Sequence, residues 1–282
     1  DIVIEQGRIV ALEPQADRPG AIVVDMGDLT ALPGFVDTQA RLPADVDPAL
    51  GPALLAFGLT TLVADTGQAD ALNAIWAGKE MPGPLVLGAD WLLDLESVAA
   101  MSLSVDSLPT SPRGIRYEDA RLTATSDPAT VVSGLADSRT PGLAALLQSR
   151  QARLLRGYPT ALRRYAEAPQ LSKQANSIVL GSAANGLPPG VGLHAEFRAL
   201  TGAGLDAEHA LRTAGVNAAA ALGLSLQLGR LAPGASADIV LVDGDPLADI
   251  DEALNVVGVV RNGRFFSAIG LIERAQAGQS VE

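Results

Sequence analysis

Two apolar runs, Val256 to Val260 and Arg264 to Ser267, bracket Asn262-Gly263, and this pattern constrains the chain's fold more tightly than any other. Asn-Gly accepts the positive φ angles that a two-residue hairpin turn demands, so the C-terminal end is expected to be an antiparallel hairpin. The opposite end repeats the signal. Ile2 to Ile4 and Ile9 to Leu12 flank Gln6-Gly7, and Ala21 to Val24 is expected to add another strand. Asp238 to Val242 reads as a strand stopped by Asp243-Gly244-Asp245-Pro246. Two β-rich ends around a middle of a different kind imply that the termini meet in one small domain beside a larger one. In that middle, Thr60 to Ala64, Leu85 to Gly88 and Ser177 to Gly181 are short apolar runs of the kind expected for parallel strands covered on both faces. Asp206 is placed to cap a helix over Ala207 to Leu222, ending near Gly223.

With 282 residues, 48% of them hydrophobic, the chain can bury a full core in one large or two smaller domains. A formal charge of -12 argues against nucleic acid, which rewards clustered Lys and Arg. The absence of cysteine excludes disulfides, thiolate catalysis and Cys-ligated zinc. No apolar run approaches the roughly 20 residues of a membrane span. The sequence leaves the compartment open between the cytoplasm and export after loss of a leader, since it begins at Asp1 without methionine.

Four segments carry a resemblance. They are Leu32-Pro-Gly-Phe-Val-Asp37-Thr-Gln39-Ala-Arg41-Leu42, Ser177-Ile-Val-Leu-Gly-Ser-Ala-Ala-Asn-Gly186, Leu205 to Gly223, and Gly229-Arg-Leu-Ala-Pro-Gly-Ala-Ser-Ala-Asp-Ile-Val-Leu-Val-Asp-Gly-Asp-Pro246. Together they resemble the metal-dependent amidohydrolase superfamily, nearest its imidazolonepropionase and prolidase-like branches. The resemblance implies an α/β chain derived from a (β/α)8 TIM barrel, with a small β-sandwich formed by both termini. It also implies that the first strand should end Asp-x-His-x-His and that the last should carry Gly-Thr-Asp-Ala. Here the imidazole positions hold Gln39 and Arg41, and the aspartate position holds Ala183 after Ser182. A guanidinium keeps its proton and offers no lone pair, so Arg41 would repel the ion. The chain's two histidines, His194 and His209, fall in expected helices beyond the last strand, and Lys79 and Lys173 are not placed to bridge two metals. The sequence therefore predicts no metal and no other cofactor.

The expected boundaries are 1–33 plus 236–282 for the sandwich and 34–235 for the barrel-derived part. The latter is short for a barrel of about 250 residues, and Arg121 to Ala175 reads as mostly helix or loop, so an eroded or incomplete barrel is expected. An open sheet edge calls for cover, which favours a protein partner, in a hetero- or homo-oligomer. Arg139, Arg150, Arg153, Arg156, Arg163 and Arg164 would give a basic face, for solvent or for an acidic partner. Asp37, Asp65 and Asp90 fall on or just after the first three barrel strands, and Arg41 is expected to tie these carboxylates together as a plug. The leading expectation is a pseudoenzyme serving as a structural or regulatory subunit. A small-molecule binder, or a metal-independent hydrolase of C-N bonds using a carboxylate base with Arg41 or Ser182, is the alternative.

Overall fold

The computed structural model describes residues 1–14, 18–40, 42–89, 178–182, 187, 189–202 and 204–278, with 116–119 and 130–133. At positions 65, 66, 89, 116–119, 130–133, 178 and 189 it describes the backbone alone.

The chain starts with the hairpin β1 (Ile2–Glu5) and β2 (Arg8–Leu12), turned by Gln6 and Gly7 with φ of 49° and 78°. Next comes β3 (Thr30–Pro33), which pairs antiparallel with β10 (Ile239–Val242) near the other end of the sequence. A four-stranded sheet results, ordered β12-β11-β10-β3, in which β11 (Val256–Arg261) and β12 (Arg264–Ser267) form the hairpin expected at Asn262-Gly263. The termini do meet. The Ile9 amide donates to the Ala235 carbonyl at 2.9 Å and the Ala237 amide to the Gly7 carbonyl at 2.8 Å, joining the first hairpin to the strand before β10. Ile9, Ala237, Ile239, Leu241 and Val260 form the core between them.

One expectation fails in this region. Ala21 to Val24 is not a strand: Ile22 is 92% and Val23 83% exposed. Strand preference expresses fit to a half-buried pleated surface, and this run has no surface over it. The C-terminal helix Ala268–Gly278 packs against both parts, sharing a core cluster with Val259 and Phe266 of the terminal sheet. It buries Leu271, Ile272 and Ala275 in the same cluster as Leu50 and Leu54 of the helix Leu50–Ala56, which belongs to the parallel part.

The parallel part begins at β4 (Phe35–Asp37), followed by β5 (Leu59–Asp65) and β6 (Leu85–Ala89) in the order β4-β5-β6. A second parallel set, β7 (Arg116–Asp119), β8 (Thr130–Ser133) and β9 (Ile178–Leu180), follows in the order β7-β8-β9. β8 places a strand within 121–175, which the sequence reads as mostly helix or loop. The short, partly polar run Thr130-Val-Val-Ser133 gives too brief a periodicity to mark a strand from sequence. The two sets join where β4 runs on beside β9: the Thr38 amide donates to the Leu180 carbonyl at 3.0 Å, and the Ser182 amide to the Gln39 carbonyl at 3.0 Å. The first strand of the parallel series thus lies against the last, as closing a sheet on itself requires. No closed barrel is present among the described residues.

Both faces of this sheet are covered. Along β5, Leu62 and Ala64 lie in the large core with the helices Leu50–Ala56, Thr66–Trp76 and Pro189–Gly202, while Val63 between them joins Val36, Val179, Ala218 and Leu222 on the other side. Such two-sided burial explains why the strands read as continuous apolar runs. Ala218 and Leu222 come from a helix that differs from its expected span. Asp206 caps it as predicted, accepting from the His209 amide, but it ends at Thr213 and restarts at Val216–Ala221. The Ala214 carbonyl turns aside to accept from the Val36 amide at 2.8 Å, giving up the helix to hold β4.

Candidate functional site

The carboxyl end of β4 is where the expected site should lie, and its centre is Asp37. This side chain has no solvent exposure. Its Oδ1 accepts from the Gln39 amide at 3.0 Å and the Ser182 amide at 3.1 Å, and its Oδ2 accepts from the Ser182 hydroxyl at 2.5 Å. Among the described residues no cationic side chain pairs with it. Burial therefore dominates, pushing the carboxyl up to about 6 against the Ser182 hydroxyl and the two backbone donors, which pull it down.

Gln39 is 4% exposed, and the backbone of Gly181 lies so close that a Cβ there would stand 2.5 Å from the Gln39 Cβ. Thr38, which the sequence reading passed over, adds a second bond to β9 through its hydroxyl, 2.7 Å from the Leu180 carbonyl. The signal that could have found both is the Asp-Thr-Gln triplet facing Leu-Gly-Ser, polar groups that must be satisfied once the strands are buried side by side.

Of the seven expected site residues, the structure brings Asp37, Gln39 and Ser182 together. Asp65 ends β5, with only its backbone described. Arg41, Asp90 and Ala183 lie outside the described residues, as do Lys173 and the arginines from 139 to 164, so the plug is not reached.

Both histidines sit in helices, as expected. His209 holds the Asp206 carboxylate with its ring at 2.7 Å, part of the helix cap. His194 is buried, with Nε2 2.9 Å from the Phe57 carbonyl and with Phe35 and Phe197 edge-on at centroid distances of 5.7 and 5.8 Å. Burial holds its imidazole down at about 4, the carbonyl bond opposing and Arg198 adding slightly.

A divalent ion of the amidohydrolase kind needs several lone pairs converging on one point. Asp37 has both oxygens committed, Gln39 offers at best an amide oxygen, and the two imidazoles are engaged elsewhere. Among the described residues no three His, Cys, Asp or Glu side chains gather into a metal-binding group. These residues do not fit the metal that the resemblance implies.

The sequence model of the amidohydrolase family matches residues 173–266. No curated protein matches. Among solved structures, a prolidase complexed with N-methylphosphonate-L-proline is 19% identical, with 94% of each chain covered and a TM-score of 0.59. Molinate hydrolase is 14% identical over 96% of this chain and 91% of its own, also at 0.59. A Xaa-Pro dipeptidase with methionine bound in its active site is 16% identical over 94% of each chain, at 0.53. These likenesses establish the fold. The chain therefore carries the sequence pattern of the amidohydrolase family over 173–266 and shares the fold of these amidohydrolase and prolidase structures.

Proposed function

We propose that the chain is an amidohydrolase-like pseudoenzyme without a metal centre, working as a structural or regulatory subunit of a protein complex, with an intact amidohydrolase as a natural companion. One observation carries the reading. Where the resemblance implies a strand end presenting imidazoles to an ion, the described groups bond to each other: Asp37 is closed off by Ser182 and Gln39, and Gln39 is buried against Gly181. Metal-assisted hydrolysis lowers the pKa of a bound water to about 7, which requires an open coordination position. The described groups at this strand end are turned to one another and gather no set of ligands to hold the ion that would carry that water.

In this reading the parallel part is an eroded (β/α)8 barrel with a terminal β-sandwich, and its partner covers what the lost strands left open. Native mass spectrometry of the protein isolated gently from its source cells tests the whole proposal, because it reports bound metal and stable companions together. The expected result is a metal-free chain in a stoichiometric complex. A monomer carrying a stoichiometric transition ion, with hydrolysis that disappears on chelation, would overturn it.

A further inference from the structure

The contact between β4 and β9 joins residues far apart in sequence with little backbone support. β5 and β6 pair over five residues, from Thr61 with Leu85 to Asp65 with Ala89. At the β4–β9 join the described backbone bonds are Thr38 to Leu180 and Ser182 to Gln39, and side chains add to them. Ser182 contributes twice: its hydroxyl reaches Asp37 Oδ2 at 2.5 Å, and its amide divides between the Gln39 carbonyl and Asp37 Oδ1. Thr38 closes the set through its hydroxyl. All of these groups are buried, so water is not at hand to replace a bond that breaks, and a broken bond leaves a costly unsatisfied polar group.

We propose that Asp37 and Ser182 form a latch that holds the first parallel strand to the last, and that local opening of the parallel sheet passes through the breaking of this pair. The geometry favours a single cooperative event. Losing the Ser182 hydroxyl bond frees Oδ2, and the shared amide then has only the Gln39 carbonyl and a loosened Oδ1 to hold it. β9 is three residues long, and the Val36 amide at the other end of β4 is already bonded to Ala214. Segments joined by few buried contacts are the ones that open below the global unfolding threshold. The latch is independent of the subunit proposal, since it concerns two strands of this chain and stands or falls without a partner.

Amide hydrogen exchange on the full chain tests it, comparing the natural sequence with Ser182→Ala, Asp37→Asn and the double variant. Ser182→Ala is expected to speed exchange about tenfold in 36–40 and 178–182 while leaving β10 and β11 unchanged, and the double variant should exchange no faster than the quicker single one. Should Asp37→Asn fail to fold, Ser182→Ala decides on the same segments. Unchanged exchange at the join in Ser182→Ala would overturn the latch. So would an acceleration spread evenly over both sheets, or effects of the two substitutions that simply multiply.

Discussion

Two buried aspartates, one in each sheet system, are treated in opposite ways. Asp238, at the start of β10, is 7% exposed and receives the Arg261 guanidinium at 3.0 Å together with the Asn262 amide. Asp37, at the end of β4, receives only neutral donors among the described residues. The first is a local device: its partners lie in the adjoining strand and in the turn that follows it, so the hairpin that brings Asn262-Gly263 into place brings the cation too. The second depends on a strand 145 residues away. A charge in the terminal sheet is compensated by the hairpin that makes the sheet, whereas the described partners of the one in the parallel sheet are dipoles at a long-range join.

The largest test of that contrast removes the compensated carboxylate. Asp238→Ala leaves the mostly buried Arg261 without its partner and strips the Asn262 amide of its acceptor. Breaking a buried pair from one side costs about 3 kcal/mol, which in a chain of this size corresponds to a loss of about 6–12 °C in Tm, measurable by calorimetry. A loss under 1 °C would mean that Arg261 finds another acceptor and that the two aspartates are less different than their partners suggest.

The next test uses pH. Asp37 rises from 3.8 in the unfolded chain to about 6 when folded, so between those values the folded chain keeps a proton that the unfolded chain has released. Its contribution to stability is full at low pH and is lost as pH rises toward 6, by about 3 kcal/mol. His194 moves the other way, from 6.5 to about 4. Its contribution is full above 6.5 and is lost as pH falls toward 4, by a similar amount. From about pH 4 to 6 the two slopes oppose and largely cancel. Urea unfolding of Asp37→Asn should therefore gain stability as pH rises through this range, and His194→Gln should lose it. Parallel pH profiles for the two variants would refute the opposition.

Gly263 sharpens the local side of the comparison. It sits at φ +77°, and a Cβ there would stand 2.8 Å from the Gly7 Cα of the other hairpin turn. Gly263→Ala should cost about 2 kcal/mol, from the left-handed backbone and from the collision between the two turns. Denaturant unfolding with an unchanged midpoint would show that the turns can move apart freely.

What was legible in the sequence follows the same division. Asn262-Gly263 and Gln6-Gly7 announced their hairpins because turn chemistry is written in adjacent residues, and Asp206 announced its helix for the same reason. The family resemblance was legible from the stretch around Gly181 and from Gly229 to Pro246, both inside the matched residues 173–266. The interruption at Ala214 was not, because its cause is the Val36 amide far away in sequence. The Asp37–Ser182 pair was half legible. Both residues stood out as candidates, but an expected link to Arg41 drew attention from the serine whose hydroxyl actually reaches the carboxylate. Local chemistry can be read in order along the chain, while a join between its first and last parallel strands needs the fold to be known.

The smallest expected effect lies in the run that looked like a strand and is not one. Ile22 and Val23 have β-branched side chains that sequence patterning assigns to a sheet, yet they stand almost wholly in solvent. With no buried area to lose and no ladder bond to break, Val23→Ser should change unfolding stability by less than about 0.5 kcal/mol. If the run were instead held in a pleated surface, the same substitution would remove apolar burial and cost about 1 kcal/mol or more, since a fully buried valine is worth about 1.5–3. Chemical denaturation with a matched Ile9→Ser control separates the cases. Ile9 is fully buried in the core between the first hairpin and the terminal sheet, so its loss should be severe while that at Val23 is nearly silent. The difference arises because the same β-forming chemistry stabilises only where a partner surface has been folded against it.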